Sequence, residues 1–242
     1  MSYIRGQMLY EGKANTLYEV EGHSFYLEME STDRISAGNG ERKGVIKGKG
    51  ITNNTISTTL FKLFNLKGIP THFVSKGTNE HSKIVKKAKM IKLEVIGRFI
   101  AAGSFCDRYG FEQGKVFDDM IYELRYKDDE KGDPFVSETC AAFGFKVAPL
   151  KDLKLIQEYT YAVGIIARDF FKEFGLTLVD FKVEFGYDLK GNLMLADEFS
   201  PDTCRLWDEN GNSFDKDVFR NGTGDVSETY KRVLEKIQTG KV

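Results

Sequence analysis

Asp180, Lys182 and Glu184 alternate with Val179, Phe181, Val183 and Phe185. In an extended chain this period of two puts the apolar side chains on one face and the charged ones on the other. A turn containing Gly191 follows, then an apolar run from Leu193 to Ala196 that ends in Asp197 and Glu198, which predicts a β-hairpin with a longer-than-minimal loop. Carboxylates gathered in this way repel one another unless a cation joins them, and oxygen-only ligand sets suit Mg2+. The spacing alone leaves two readings open: a metal site, or an ion-pair ladder on a half-buried strand.

The elements that must position these groups follow from the same patterns. Met8 to Val20 reads as strand, glycine turn and strand, and Phe25 to Met29 as a further strand; Gly12 and Lys13 in the turn could offer backbone N–H groups and an ammonium to a phosphate. Residues 31–54 hold five glycines among basic residues, either a surface loop or a clamp for phosphate or carboxylate. A helix is expected next, capped by Thr52 or Asn54 and burying Ile56, Leu60, Leu63 and Phe64 until Gly68 stops it. Thr71 to Val74 is a short strand that closes a small N-terminal unit near residue 78. Glu80 to Lys87 reads as a short helix, and Lys89 to Ile100 as an alternating strand leading into Ala101-Ala102-Gly103-Ser104 and a helical turn. That glycine and serine at a helix start suit a phosphate, with Arg98 placed to pair with it; the same residues could also form a plain tight turn. Residues 122–138 are dense in charge and carry turn signals, as a solvated loop would. Leu150 to Phe174 is the clearest helix, starting after Pro149 and stopping at Gly175, and Val226 to Ile237 forms a closing amphipathic helix.

Composition excludes several classes. The 242 residues are 41% hydrophobic and include 19 Phe, enough for a substantial core and against disorder. With 35 basic and 36 acidic residues, no overall field favours nucleic acid or an anionic membrane, so phosphate binding must be local. No apolar run reaches spanning length, and the N-terminus lacks a signal-peptide core. Cys106, Cys140 and Cys204 are odd in number and widely spaced, which fits reduced thiols in the cytoplasm. His23, His72 and His81 form no metal-ligand pattern.

DFKVEFG (residues 180–186) followed by ADEFSPDTCRLWD (196–208) resembles the paired signature of the SAICAR synthetase family. Further segments match in the family's order: Gly12-Lys13-Ala14, Ser36-Ala37-Gly38, Lys49-Gly50 with Asn53-Asn54, Glu94 and Arg98 with Gly103-Ser104 and Arg108, Lys127 and Asp129 with Asp133-Pro134, and Asp215-Lys216-Asp217 with Phe219-Arg220. Asn15, Phe99 and Asp107 stand where the family pattern has lysine, asparagine and lysine. The resemblance implies an α+β, ATP-grasp-like two-lobe fold: a small antiparallel lobe over residues 1–78 covering the nucleotide, and a larger mixed lobe over 79–242, with the site in the cleft. It implies an ATP- and Mg2+-dependent ligase joining L-aspartate to the carboxylate of CAIR, 5-amino-1-(5-phosphoribosyl)imidazole-4-carboxylate, through an acyl phosphate. A homodimer acting on small molecules in the cytoplasm, without nucleic acid or membrane, goes with it. The implied roles are Glu184 and Asp197 on the metal, Gly12, Lys13, Ala14, Lys182 and Glu184 on the nucleotide, and Arg98, Ser104, Asp202, Arg205 and Arg220 on CAIR. Ser36, Gly38, Lys127 and Asp133 flank the reacting groups, with Lys13 and Lys182 acting in catalysis. The departures motivate an alternative, a paralogous ATP-dependent amide ligase with a different amine or nucleotide acceptor.

Overall fold

The computed structural model of the chain describes residues 3–37 and 42–239. Gly38 and the tip of the glycine-rich segment lie outside the described residues. Strands β1 (Arg5–Glu11), β2 (Asn15–Val20) and β3 (Tyr26–Ser31) form a meander, and β6 (Phe73–Lys76) and β7 (Ser82–Lys86) complete an antiparallel sheet in the order β1-β2-β3-β7-β6. Between β3 and β6 come a two-stranded hairpin, β4 (Arg34–Ala37) with β5 (Arg42–Val45), and the helix α1 (Lys49–Leu66).

The second sheet is built around β11 (Thr177–Tyr187). β9 (Leu93–Ile100) pairs antiparallel along one edge of it and β10 (Val116–Tyr126) pairs outside β9. The short strands β8 (Lys89–Met90), β12 (Leu193–Ala196) and β13 (Cys204–Trp207) all pair with β11 as well. The helix α2 (Ser104–Tyr109) follows β9, α3 (Leu150–Glu173) packs across β9 and β11, and α4 (Asp217–Asn221) and α5 (Val226–Thr239) close the chain. The sheets are joined by backbone: Leu195 donates to the Pro70 carbonyl at 2.9 Å and His72 donates to the Leu195 carbonyl at 2.8 Å.

The apolar face of β11 is the core. Val179, Phe181, Val183 and Phe185 are all buried against Leu153, Ile156 and Val163 of α3 and Ile56, Leu60 and Phe64 of α1. Burial on this scale is the main driving force for folding. It leaves Asp180, Lys182 and Glu184 on the opposite face of the strand.

Three local expectations are corrected. Residues 82–86 form a strand, not a helix: Lys83 and Val85 sit in ladders with β3 and β6, so tertiary pairing overrides a short, lysine-rich helical pattern. Residues 122–126 are the end of β10 rather than a solvated loop, and the pairing Arg125↔Glu94 shows how a charge-rich run is used on a sheet. The helix α1 begins at Lys49, and neither Thr52 nor Asn54 caps it. Its start is held by Asp33, whose carboxylate accepts the Gly48 and Gly50 N–H groups at 3.1 and 2.9 Å.

The crossing of β9, β11 and α3 is tight at Gly97. A Cβ there would lie 2.4 Å from Phe181 Cζ and 2.8 Å from Met120 Sδ. Overpacking of this kind costs about 1–3 kcal/mol. Gly97→Ala is therefore expected to lower the free energy of unfolding by that amount, read as a lower urea midpoint at unchanged m-value; wild-type stability would contradict the packing described.

Candidate active site

Two clusters lie along the polar face of β11, one at each end of the Asp180–Glu184 run. At the first, Asp180 lies opposite Arg98 of β9 and Arg205 of β13 in the ladders. Its Oδ2 accepts from both guanidinium groups, at 2.7 Å from Arg205 and in a short contact from Arg98. Arg98 also faces Glu123 of β10 at 3.6 Å, which Arg108 holds at 3.0 Å. Arg205 continues to Asp217 at 2.6 Å, and Asp217 in turn binds Arg220. Three arginines expected to meet an anion are thus collected and oriented by Asp180, Glu123 and Asp217. Arginine suits planar, bidentate recognition of phosphate or carboxylate.

Gly103 makes this cluster possible. Its φ of 58° and ψ of −146° belong to a region essentially confined to glycine, and a Cβ would stand 2.5 Å from Arg205 Nη2. The exposed Ser104 opens α2 directly after it.

At the second cluster, Lys182 stands among carboxylates. Its Nζ lies 2.8 Å from Glu184, 3.5 Å from Asp197 and 3.7 Å from Glu94. Lys127, from the segment after β10, holds the other oxygen of Glu184 at 2.7 Å. The register Glu184↔Ala196 places Asp197 one residue past the pair, and Asp197 turns with φ 60°, the left-handed region that few non-glycine residues adopt. Loss of hydration disfavours the charge on Glu184, but Lys182 and Lys127 outweigh it and hold the carboxyl below its usual range. Asp197 goes the other way: burial, then the facing Glu184, push it up to about 6. Enclosure also opposes the charge on Lys182, yet Glu184, Asp197 and Glu94 together raise its pKa.

Among the described residues no three His, Cys, Asp or Glu side chains gather as a ready-made metal cage. The donor set that does exist, the carboxylates of Glu184 and Asp197 meeting at Lys182, offers oxygen ligands only, which would suit a hard cation.

The other expected residues are placed as follows. The β1–β2 turn carries Gly12, Lys13 and Ala14. Gly12 N–H closes the turn on the Asn15 carbonyl at 2.8 Å, and the exposed Lys13 ammonium reaches Asp129 at 3.3 Å. Asp133 (φ 50°) uses its carboxylate to accept the Asp128 N–H at 2.8 Å, so it shapes the segment that carries Lys127. Asp202 is bound by buried Lys49 at 2.6 Å and by the Tyr230 hydroxyl, and Lys49 leads in outweighing the effect of burial and keeping it ionised. Ser36 lies on β4 opposite Lys43, and among the described residues no hydrogen bond ties it to another candidate.

Sequence reasoning missed Asp180, Glu94 and Glu123 as organisers of the cations. The first two carried a signal, being polar positions on predicted alternating strands. Tyr230 of α5 is buried, and its hydroxyl also donates to Asp202, a contact with no local signal in the sequence.

The SAICAR synthetase family model matches residues 8–237. A phosphoribosylaminoimidazole-succinocarboxamide synthase of Streptococcus uberis is 42% identical over 97% of this chain and 99% of its own. Among solved structures, a SAICAR synthetase (Type-2) in complex with ADP superposes with a TM-score of 0.91 at 40% identity, over 97% of this chain and 98% of that one. The phosphoribosylaminoimidazole-succinocarboxamide synthase of Ehrlichia chaffeensis gives a TM-score of 0.91 at 38% identity, over 98% of this chain and all of that one. On a match that spans nearly the whole sequence and the whole fold, the chain belongs to the SAICAR synthetase family.

Proposed function

We propose that the chain joins L-aspartate to the carboxylate of CAIR at the expense of ATP, giving SAICAR and serving de novo purine biosynthesis. The observation that carries this reading is the pairing, on one face of β11, of an arginine cluster suited to a sugar phosphate with a lysine–carboxylate cluster suited to a nucleotide. Family membership and a relative solved with ADP support it.

A carboxylate is a poor acyl donor. Its oxygen therefore attacks the γ-phosphorus of ATP, the bond to ADP breaks, and an acyl phosphate forms. The amine of aspartate then attacks the acyl carbon, phosphate leaves, and the amine proton is lost. Phosphoryl transfer needs alignment and charge neutralisation rather than a protein nucleophile. The site supplies these through Lys, Arg, Asp and Glu side chains.

In this reading Glu184 and Asp197 hold Mg2+, which when bound neutralises charge on the phosphates. Gly12, Lys13 and Ala14 cover the phosphates from the β1–β2 turn, and Lys182 orients them. Lys127, fixed by Glu184 in the free protein, and the segment shaped by Asp133 flank the reacting carboxylate. Arg98, Ser104, Arg205 and Arg220 take the CAIR phosphate, Asp202 its ribose or base, and Ser36 and Gly38 border the acceptor.

The two sheets correspond to an ATP-grasp-like pair of lobes with the nucleotide between them. A division after Lys86 keeps the first sheet whole, whereas one at residue 78 leaves β7 on the far side. The same reading carries a homodimer acting in the cytoplasm. Three free cysteines fit a reducing compartment, and among the described residues no helix is long and apolar enough to cross a membrane.

Two measurements test this. With CAIR labelled by 18O in its carboxylate, turnover is expected to deliver one labelled oxygen per product to inorganic phosphate; unlabelled phosphate would exclude the acyl phosphate. Glu184→Ala is expected to lower kcat by about 10²–10³, the range for losing one preorganised electrostatic group, with the fold retained by circular dichroism. A variant as active as wild type would sink the metal assignment.

A further inference from the structure

The polar face of the second sheet carries a cation that neither cluster uses. Arg125 stands near the end of β10, opposite Glu94 in the ladder and on the face that presents Arg98 and Lys182. Cross-strand neighbours of this kind have Cβ atoms about 5 Å apart. Glu94 nevertheless turns to Lys182, at 3.7 Å. Arg98, Lys127 and Lys182 are each ion-paired. Among the described residues the Arg125 side chain has no ion pair and no hydrogen bond, and its Nε is buried without a partner.

Stacking holds the guanidinium instead. Residues 134–136 run along the outer edge of β10: Tyr126 donates to the Pro134 carbonyl at 2.9 Å and Val136 donates to the Leu124 carbonyl at 3.0 Å. Phe135 thereby pairs with Arg125 and shares its face. Arg125 Cζ lies 4.4 Å from the centroid of the Phe135 ring, and Arg108 Cζ lies 3.9 Å from the same centroid. Arg108 is fixed in turn by Glu123 at 3.0 Å. A stacked guanidinium keeps its N–H edge for another partner, and that rigid fork of donors matches a carboxylate.

We propose that Arg125 binds a carboxylate of the amino-acid substrate, L-aspartate, and gives the site its preference for an acidic amine. The inference rests on the reaction proposed above. L-Aspartate brings two carboxylates to a face that already carries Glu94, Glu184 and Asp197, so its binding needs a cation that these acids do not occupy. Asp180 engages Arg98 and Arg205, and Glu184 engages Lys127 and Lys182. Arg125 stays available, two residues before Lys127, the lysine that flanks the reacting carboxylate. One small molecule can then set its amine towards the acyl carbon while a carboxylate rests on Arg125.

Steady-state kinetics are measured for wild type and R125M with ATP, CAIR and L-aspartate varied in turn. Methionine keeps an unbranched stem against Phe135 and removes the fork. R125M is expected to raise KM for L-aspartate roughly tenfold to a hundredfold, the effect of losing a hydrogen bond to a charged group, while KM for ATP and CAIR stays unchanged. Succinate, which has both carboxylates and no amine, serves as a competitive inhibitor against L-aspartate, and its Ki is expected to rise by the same factor. An unchanged KM for L-aspartate overturns the proposal. So does a rise shared by all three substrates, which a merely structural arginine would give. Should R125M fail to fold, R125K keeps the charge without the bidentate fork and is expected to raise KM for L-aspartate several-fold; an unchanged value there also overturns it. Wild type that turns over no L-aspartate removes the proposed reaction, and the inference with it. Wild-type turnover with an unaffected R125M removes the inference alone.

Discussion

Lys182 is held by Glu184, Asp197 and Glu94, which come from β11, the end of β12 and β9. Three carboxylates can approach one another this closely only because an ammonium stands between them, and the ammonium is held only because its strand is anchored on the other face. Phe181 and Val183, flanking Lys182, are both buried. A register slip of one residue would put Lys182 into the core and the apolar side chains into the site. The core and the chemistry therefore depend on the same alternation.

Two residues earlier on the same face, Asp180 does with two arginines what Lys182 does with three acids. In each cluster a single group of one sign collects several of the other, which keeps the side chains ordered before substrate arrives. Preorganised charge of this kind needs little rearrangement when a polyanion binds. Asp180 and Lys182, the centres of the two clusters, stand two residues apart on the strand, about 7 Å.

Much of this could be read from the sequence where period and size agreed. The alternation through Phe185, the long amphipathic helix from Leu150 and the run from Ser200 to Asp208 each carry their signal locally. What escaped was decided at long range. Lys83 stands inside a strand because β3 and β6 flank it, not because of its neighbours in sequence. Asp33 caps α1 from the far side of a hairpin, while local capping rules point to Thr52 or Asn54. Lys13 meets Asp129 across 116 residues. Of the candidate site, the carboxylates and cations were visible as residue types, but which acid holds which base depends on strand register, and that is settled by the sheet.

Phosphoryl transfer and amide formation in one site require CAIR to bind beside the nucleotide. The most direct measurement is ADP formation by the purified protein with ATP, Mg2+ and CAIR, with and without L-aspartate. Sustained ADP formation that needs both substrates and yields one succinocarboxamide per ADP is the predicted result. Turnover with CAIR and a different amine, but none with L-aspartate, would contradict it.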